Sequence, residues 1–379
     1  MKRIGTVCIL ILAACSSSAP NQSAIAPVTL SIGNYSADMG PSPVGVIPSA
    51  MLHDAARNKD VEVSIEYPTR GGPFPIIVFS HGYGSSNRAY EPLISYWTSN
   101  GYVCIRPAHA DAGALRDSAR EAMPAQPPSN QRRRNPQPQG IIIPMQPRNP
   151  AEEIWDKERE PQWRNRVLDL KLVLDSLGDL ERNFPELQDK MDRTRIGVGG
   201  HGYGAFTALM LSDPRVRALV AMSPPGPSAN RGLTAQSFAG LKLPVMFMTG
   251  TNDRGGNESE DFNWRRQAFE NSPAGDKYFV LIDSARSSSF TGQVSIFDLQ
   301  PPATPAQAPT GPYGQIQPVP QQQQRGAVVF GNDRRIFAII KIASLAFEDT
   351  YLKNDNSARD LLHPQKFEGA FTGAHLTAK

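Results

Sequence analysis

The residues best placed to do chemistry stand in RIGVGGHGYGAFTALML, 195–211, where a strand-like run meets Gly200-His201-Gly202-Tyr203-Gly204 and then a helix-like run. A tight strand-to-helix turn pushes the side chain at its tip into a cleft, and small residues flank the tip because nothing larger fits. A serine there, in the pattern G-x-S-x-G, attacks an acyl carbon. It needs a base to take its proton, an acid to orient the base, and backbone N–H groups to hold the oxyanion. Gly200, Gly204 and Ala205 supply the small flanks, but the tip residue is Gly202. The turn is written in the sequence; the nucleophile is not.

The elements that position such a turn are legible around it. VEVSIEY (61–67) alternates as an edge or antiparallel strand does. PIIVFSHG (75–82) and YVCIRP (102–107) are continuous apolar runs, the signature of buried parallel strands. WRNRVLDLKLVLDSLGDL (163–180) places Val167, Leu170, Leu174 and Leu177 at helical spacing. RIGVGG (195–200), VRALVAMSP (216–224), PVMFMTGTND (244–253) and YFVLIDS (278–284) read as further strands, and RRIFAIIKIASLAFEDTYL (334–352) as a closing helix. Alternation of this kind predicts an α/β domain over 46–353, with a mostly parallel central sheet and helices on both faces, followed by a C-terminal tail, 354–379. Two stretches rich in Pro and Gln, about 116–150 and 300–325, interrupt the pattern and read as loops with too little apolar surface to bury. No internal repeat is present.

The chain has 379 residues, 40% hydrophobic and 20% charged, with a formal charge of +3. Near-neutrality gives no global reason to expect a nucleic-acid partner, and Arg132-Arg133-Arg134 reads as a solvated part of its Pro/Gln-rich loop. In MKRIGTVCILILAACSSS, Lys2 and Arg3 precede an apolar run too short to span a membrane. Leu12-Ala13-Ala14-Cys15 matches the bacterial lipobox pattern. The expectation is a signal peptide over 1–14, a lipid on Cys15, and a tether over 15–45. An exported protein held by acyl chains on the cell envelope, on the periplasmic side or at the outer membrane, follows. Cys8 falls in the removed segment and Cys15 carries the lipid, so Cys104 has no disulfide partner and reads as a buried apolar residue. The histidines are scattered, so no metal constellation and no cofactor is expected.

In its order of elements the chain resembles the α/β-hydrolase fold, and within it the bacterial proteins similar to dienelactone hydrolases and type II platelet-activating factor acetylhydrolases, with cutinase-like polyester hydrolases as cousins. The resemblance runs from about residue 60 to 353, outside the two Pro/Gln-rich stretches. It is carried by FSHGYGSSNRAY (79–90), NGYVCIRPAHAD (100–111), RTRIGVGGHGYGAFTA (193–208), DPRVRALVAMSP (213–224), MTGTND (248–253) and GDKYFVLIDSARSSSF (275–290).

The resemblance implies a serine-hydrolase site and assigns each position in it. Gly202 takes the place of the nucleophile. The oxyanion donors are the backbone N–H groups of Tyr203, just after the tip, and of Tyr83, after His81-Gly82. Asp253 stands where the acid belongs, at the carboxyl end of its strand. The base belongs after YFVLID, where the family pattern resembles G-A-D-H, but here Ser284-Ala285-Arg286-Ser287 puts Ser287 at that place. His-Gly and Gly-Tyr-Gly are also what tight turns look like, and Asp253 is also at home in the polar turn Asn252-Asp253-Arg254-Gly255-Gly256. His201 is expected to point away from the cleft. His363 and His375 fall in the tail, and His53 and His109 early in the chain.

Three functions fit these residues. One is a surface-tethered pseudo-hydrolase whose cleft binds an ester, lipid or polymer ligand without cleaving it. Another is an active carboxylic-ester hydrolase with a displaced nucleophile such as Ser80, Ser287 or Ser289. The third is an envelope interaction protein that works through its Pro/Gln-rich loops.

Overall fold

The computed structural model describes residues 30–113, 161–228, 233–255, 259–292 and 321–379, with backbone alone for 161–162 and 321–333. Cys15 and its signal segment, Arg132-Arg133-Arg134 and the two Pro/Gln-rich stretches up to residue 320 lie outside the described residues.

A short hairpin, β1 (Ser31–Ile32) and β2 (Tyr35–Ser36), precedes the antiparallel pair β3 (Val44–Asp54) and β4 (Lys59–Pro68). Then follow β5 (Phe74–Ser80), α1 (Glu91–Ser99), β6 (Val103–Pro107), α2 (Pro161–Asp175), α3 (Leu177–Asn183) and β7 (Met191–His201). After the turn come α4 (Tyr203–Met210), β8 (Val216–Met222), α5 (Gln236–Ala239), β9 (Val245–Gly250), α6 (Phe262–Glu270) and β10 (Lys277–Ile282). A 3₁₀ turn over Ser287–Thr291, the long α7 (Gln321–Leu352), α8 (Asn356–Leu361), α9 (Pro364–Ala370) and β11 (Ala374–Ala378) complete the chain.

The nine-stranded sheet has the order β11-β10-β9-β8-β7-β5-β6-β4-β3. Strands β6 through β10 run parallel, while β3, β4 and β11 are antiparallel additions at the two sides. VEVSIEY is thus an antiparallel strand with a neighbour on each side, not an edge.

Both faces of the sheet are covered, which is why its central strands are apolar throughout. Along β5, Ile77 and Phe79 join the core under α1 and α7, whereas Ile76 and Val78 join the core under α2, α4 and α6. Met246 and Met248 against Val245 and Phe247 repeat that two-residue alternation on β9.

The domain is larger than the sequence pattern predicts. Residues 354–379 do not form a tail: α8 and α9 turn the chain back and β11 pairs with β10 from Tyr278↔Ala378 to Ile282↔Ala374. The five-residue strand AHLTA was too short and too polar to stand out. At the other end, order begins within the expected tether, because Tyr35 and Ala37 are buried against the α7 face and the Tyr35 hydroxyl donates to Asp349 Oδ2 at 3.1 Å. The last long helix starts at Gln321, inside the second Pro/Gln-rich stretch, rather than at 334. Among the described residues no helix is long and apolar enough to cross a membrane.

Candidate functional site

Register places the expected site residues at one end of the sheet. β5 pairs with β7 up to Ser80↔Gly200, so the loop after β5 and the turn after β7 leave the sheet side by side. The turn is pinned by Gly202 N–H donating to Met222 C=O at 2.8 Å.

Its glycines differ in kind. A Cβ on Gly200 would collide with the Gly204 backbone, and one on Gly204 with the Ser80 carbonyl, so those two positions admit no side chain. Gly202, at φ 55° and ψ −114°, would carry a Cβ with no heavy atom within 4 Å. The backbone there is in the strained region that such turns impose on their tip residue. The turn has room for a side chain at its tip and carries none.

Tyr203 opens α4, and its ring lies 5.8 Å from that of Tyr83, so the residues at the two expected oxyanion positions are neighbours. Arg166 of α2 ties them together. Its guanidinium sits 4.6 Å over the Tyr203 ring and donates to His81 C=O at 2.9 Å and to Thr207 Oγ1 at 3.3 Å, while Asp111 pairs with it at 3.1 Å. Burial and then the Arg166 charge hold His81 below the usual imidazole range.

Asp253 is fully buried. Its Oδ2 accepts from Thr249 Oγ1 at 2.8 Å, and its Oδ1 lies 3.1 Å from Arg265 Nη2 as an ion pair without hydrogen-bond alignment. Arg265 also donates to Ser223 C=O at 2.7 Å. An arginine, not a histidine, therefore answers the carboxylate. The loops carrying Asp253 and Ser287 adjoin through Asn252 N–H to Ala285 C=O at 3.0 Å, but the carboxylate is turned to Thr249 and Arg265.

His201 departs from the expectation that it points away. Its Nδ1 is 2.8 Å from Tyr90 Oη and its Nε2 is 3.0 Å from Ser287 Oγ. Tyr90 Oη accepts from Gly82 N–H at 3.1 Å, so one hydroxyl joins the loop after β5 to the His201 ring. Burial, then the Arg265 charge, pulls the His201 pKa down to about 3, so the ring is neutral. The ring stands between the hydroxyls of Tyr90 and Ser287, and no carboxylate backs it.

The structure does assemble a serine, a histidine and an aspartate, though not the ones expected. Ser80 Oγ is 2.8 Å from His109 Nε2, and His109 Nδ1 is 3.0 Å from Asp169 Oδ2. Asp169 also receives Arg57 Nη1 at 2.7 Å and Lys59 Nζ at 2.8 Å. Sequence reasoning missed His109 and Asp169, because one follows a strand by two residues and the other lies on a helix; only PAHAD after an apolar run hinted at the first. Ser80 and Asp169 have no exposed surface, and His109 is 2% exposed. Among the described residues no group of three or more His, Cys, Asp or Glu has the arrangement of a metal site.

A mostly parallel sheet, covered on both faces, with a tight turn at the end of β7 and a loop beside it at the end of β5, defines an α/β-hydrolase-like fold. Within that class the chain is similar to platelet-activating factor acetylhydrolases. Residues 49–222, just under half of it, match the family described as platelet-activating factor acetylhydrolase, isoform II. Platelet-activating factor acetylhydrolase of Canis lupus familiaris is 28% identical over 162 residues, 40% of this chain and 35% of that protein. The proteins of the same name from Cavia porcellus and Bos taurus are 24% identical over 168 residues and 25% over 166, covering 41% and 40% of this chain. The match spans about a third of the length of these relatives, 36% and 35% for the latter two. The family match over 49–222 contains Tyr83, Gly202 and Tyr203 and stops at Met222, before Asp253 and Ser287.

Proposed function

We propose that the chain is an exported lipoprotein, anchored through Cys15 to the bacterial envelope, whose hydrolase-like domain binds an ester, lipid or polymer ligand and does not hydrolyse it. Gly202 and Ser287 stand at the nucleophile and base positions in this reading, and Asp253 at that of the acid. The observation that carries it is the turn at Gly202, which has the backbone angles and the open space of a nucleophile-bearing tip without the side chain. Two further features agree. Asp253 pairs with Arg265, and the ring beside Ser287, that of His201, has Tyr90 rather than a carboxylate at its other nitrogen. An oxyanion hole without a triad retains about 10³–10⁴-fold catalysis over water, far below an acyl-enzyme route. The test is hydrolysis of a short-chain nitrophenyl ester by the native chain beside the double variant Gly202→Ser, Ser287→His. Turnover is expected only from the variant.

The Ser80–His109–Asp169 geometry favours a second reading, an active hydrolase with Ser80 as nucleophile. Full burial of the Ser80 hydroxyl counts against it, since an acyl carbon has to reach that oxygen. A fluorophosphonate probe separates the two: covalent labelling of Ser80 establishes the second reading and removes the first.

A further inference from the structure

Four separate elements converge on the buried Ser80–His109–Asp169 chain: the end of β5, the segment after β6, helix α2, and the β3–β4 hairpin with Arg57 and Lys59. Stability alone does not account for it, since buried ion pairs are often no better than apolar residues of similar volume. What the chain does hold is the loop after β5. His109 N–H donates to His81 Nε2 at 3.1 Å, Gly84 N–H to Asp111 Oδ2 at 2.8 Å, and Gly113 N–H to Ser85 C=O at 2.7 Å. Arg166 adds its bond to His81 C=O and reaches across to α4. Every one of these partners comes from residues 109–113 or from α2, the segments that the relay locks to β5.

We propose that Ser80, His109 and Asp169 are positioning residues, which fix the His81–Gly84 backbone beside Gly202 for a ligand's carbonyl or similar oxygen. The proposal rests on the reading of that cleft as a ligand site. The direction of the relay is set by its chemistry. An ionised carboxylate only accepts, so Asp169 holds the His109 proton on Nδ1, and Nε2 is left to accept from the Ser80 hydroxyl. His109 stays neutral because burial, then the Arg166 charge, oppose its protonation, with Lys59 adding to them and Asp111 acting the other way. The ring cannot turn without breaking a bond at each end, and its own backbone N–H is the donor to His81.

The test uses the full chain and its Asp169→Asn and Ser80→Ala variants. Wild-type His109 is expected to show the neutral Nδ1–H form in its imidazole ¹⁵N shifts. In Asp169→Asn, Arg57 and Lys59 keep the amide oxygen, so the amide NH₂ faces His109 and the ring switches to Nε2–H. The ring keeps a bond at each end there, so exchange of the Gly82 and Gly84 amides is expected to hold. In Ser80→Ala, which cuts the relay from β5, their exchange rises at least about tenfold relative to the β7 and β9 amides, a change that the global opening of a merely destabilised domain would spread over all of them. Unchanged loop exchange in Ser80→Ala overturns the proposal. So does fluorophosphonate labelling of wild-type Ser80, which would make the relay catalytic. Amide exchange needs no ligand, so a cleft that binds nothing refutes the ligand reading and leaves this measurement intact.

Discussion

Glu348 offers a test of the packing that supports β7. It is fully buried on α7, and both carboxylate oxygens lack a hydrogen-bond partner. It presses on β7 so closely that a Cβ at Gly197 would lie 2.6 Å from its Oε2. Burial, then the Asp349 charge, raises its pKa from 4.5 to about 8, with Lys353 acting the other way. Below pH 4.5 both folded and unfolded chains hold the proton, and the group does not affect the balance. Between 4.5 and 8 the unfolded chain releases the proton and the folded chain keeps it, so stability falls by about 1.4 kcal/mol per pH unit. At pH 7, 2.5 units above the unfolded value, the deficit is about 3 kcal/mol. Glu348→Gln keeps the shape and removes the titration. Urea denaturation at pH 4.5, 5.5, 6.5 and 7.5 is expected to show the variant gaining on the wild type by about 3 kcal/mol across the range. A fixed offset from the unpaired amide is compatible with this. Two parallel curves would refute the reasoning, because they would mean that Glu348 ionises in the folded state as it does in the unfolded chain.

Other consequences can be checked on the same protein. Gly202→Ser is expected to cost about 1–3 kcal/mol for its strained backbone, and Gly204→Ala about 3 kcal/mol or more because its methyl meets the Ser80 carbonyl; denaturation midpoints decide. Tyr90→Phe leaves Gly82 N–H and His201 Nδ1 without their buried partner and is expected to destabilise the fold by about 1–3 kcal/mol, again by denaturation. Arg265→Met strands the buried Asp253 carboxylate, at about 3–5 kcal/mol near neutral pH.

Much of this fold was legible because its signals are local. Continuous apolar runs such as PIIVFS and VMFMTG mark strands buried on both faces, and the glycines of GHGYG mark a turn whose close approaches to Gly204 and Ser80 exclude side chains. Length and polarity hid β11, whose identity as a strand comes from pairing with β10 and not from its own pattern. At the site, position was easier to read than partnership. Asp253 was picked out by its place at the end of β9, but nothing near it in sequence tells that Arg265, a turn and a helix later, takes up its charge. The direction of His201 depended on Tyr90 and Ser287, 111 and 86 residues away. Ser80, His109 and Asp169 are likewise gathered by the sheet from three separate stretches, so their spacing in the chain carries no motif.

The central claim is that the turn at Gly202 is built for a nucleophile and lacks one. Turnover of a short-chain nitrophenyl ester by the native chain tests it most directly, with Ser80→Ala and Gly202→Ser, Ser287→His as companions. No turnover beyond the residual level of an oxyanion hole is expected in the native chain, and measurable turnover in the double variant. Efficient hydrolysis by the native protein, lost in Ser80→Ala, would contradict it.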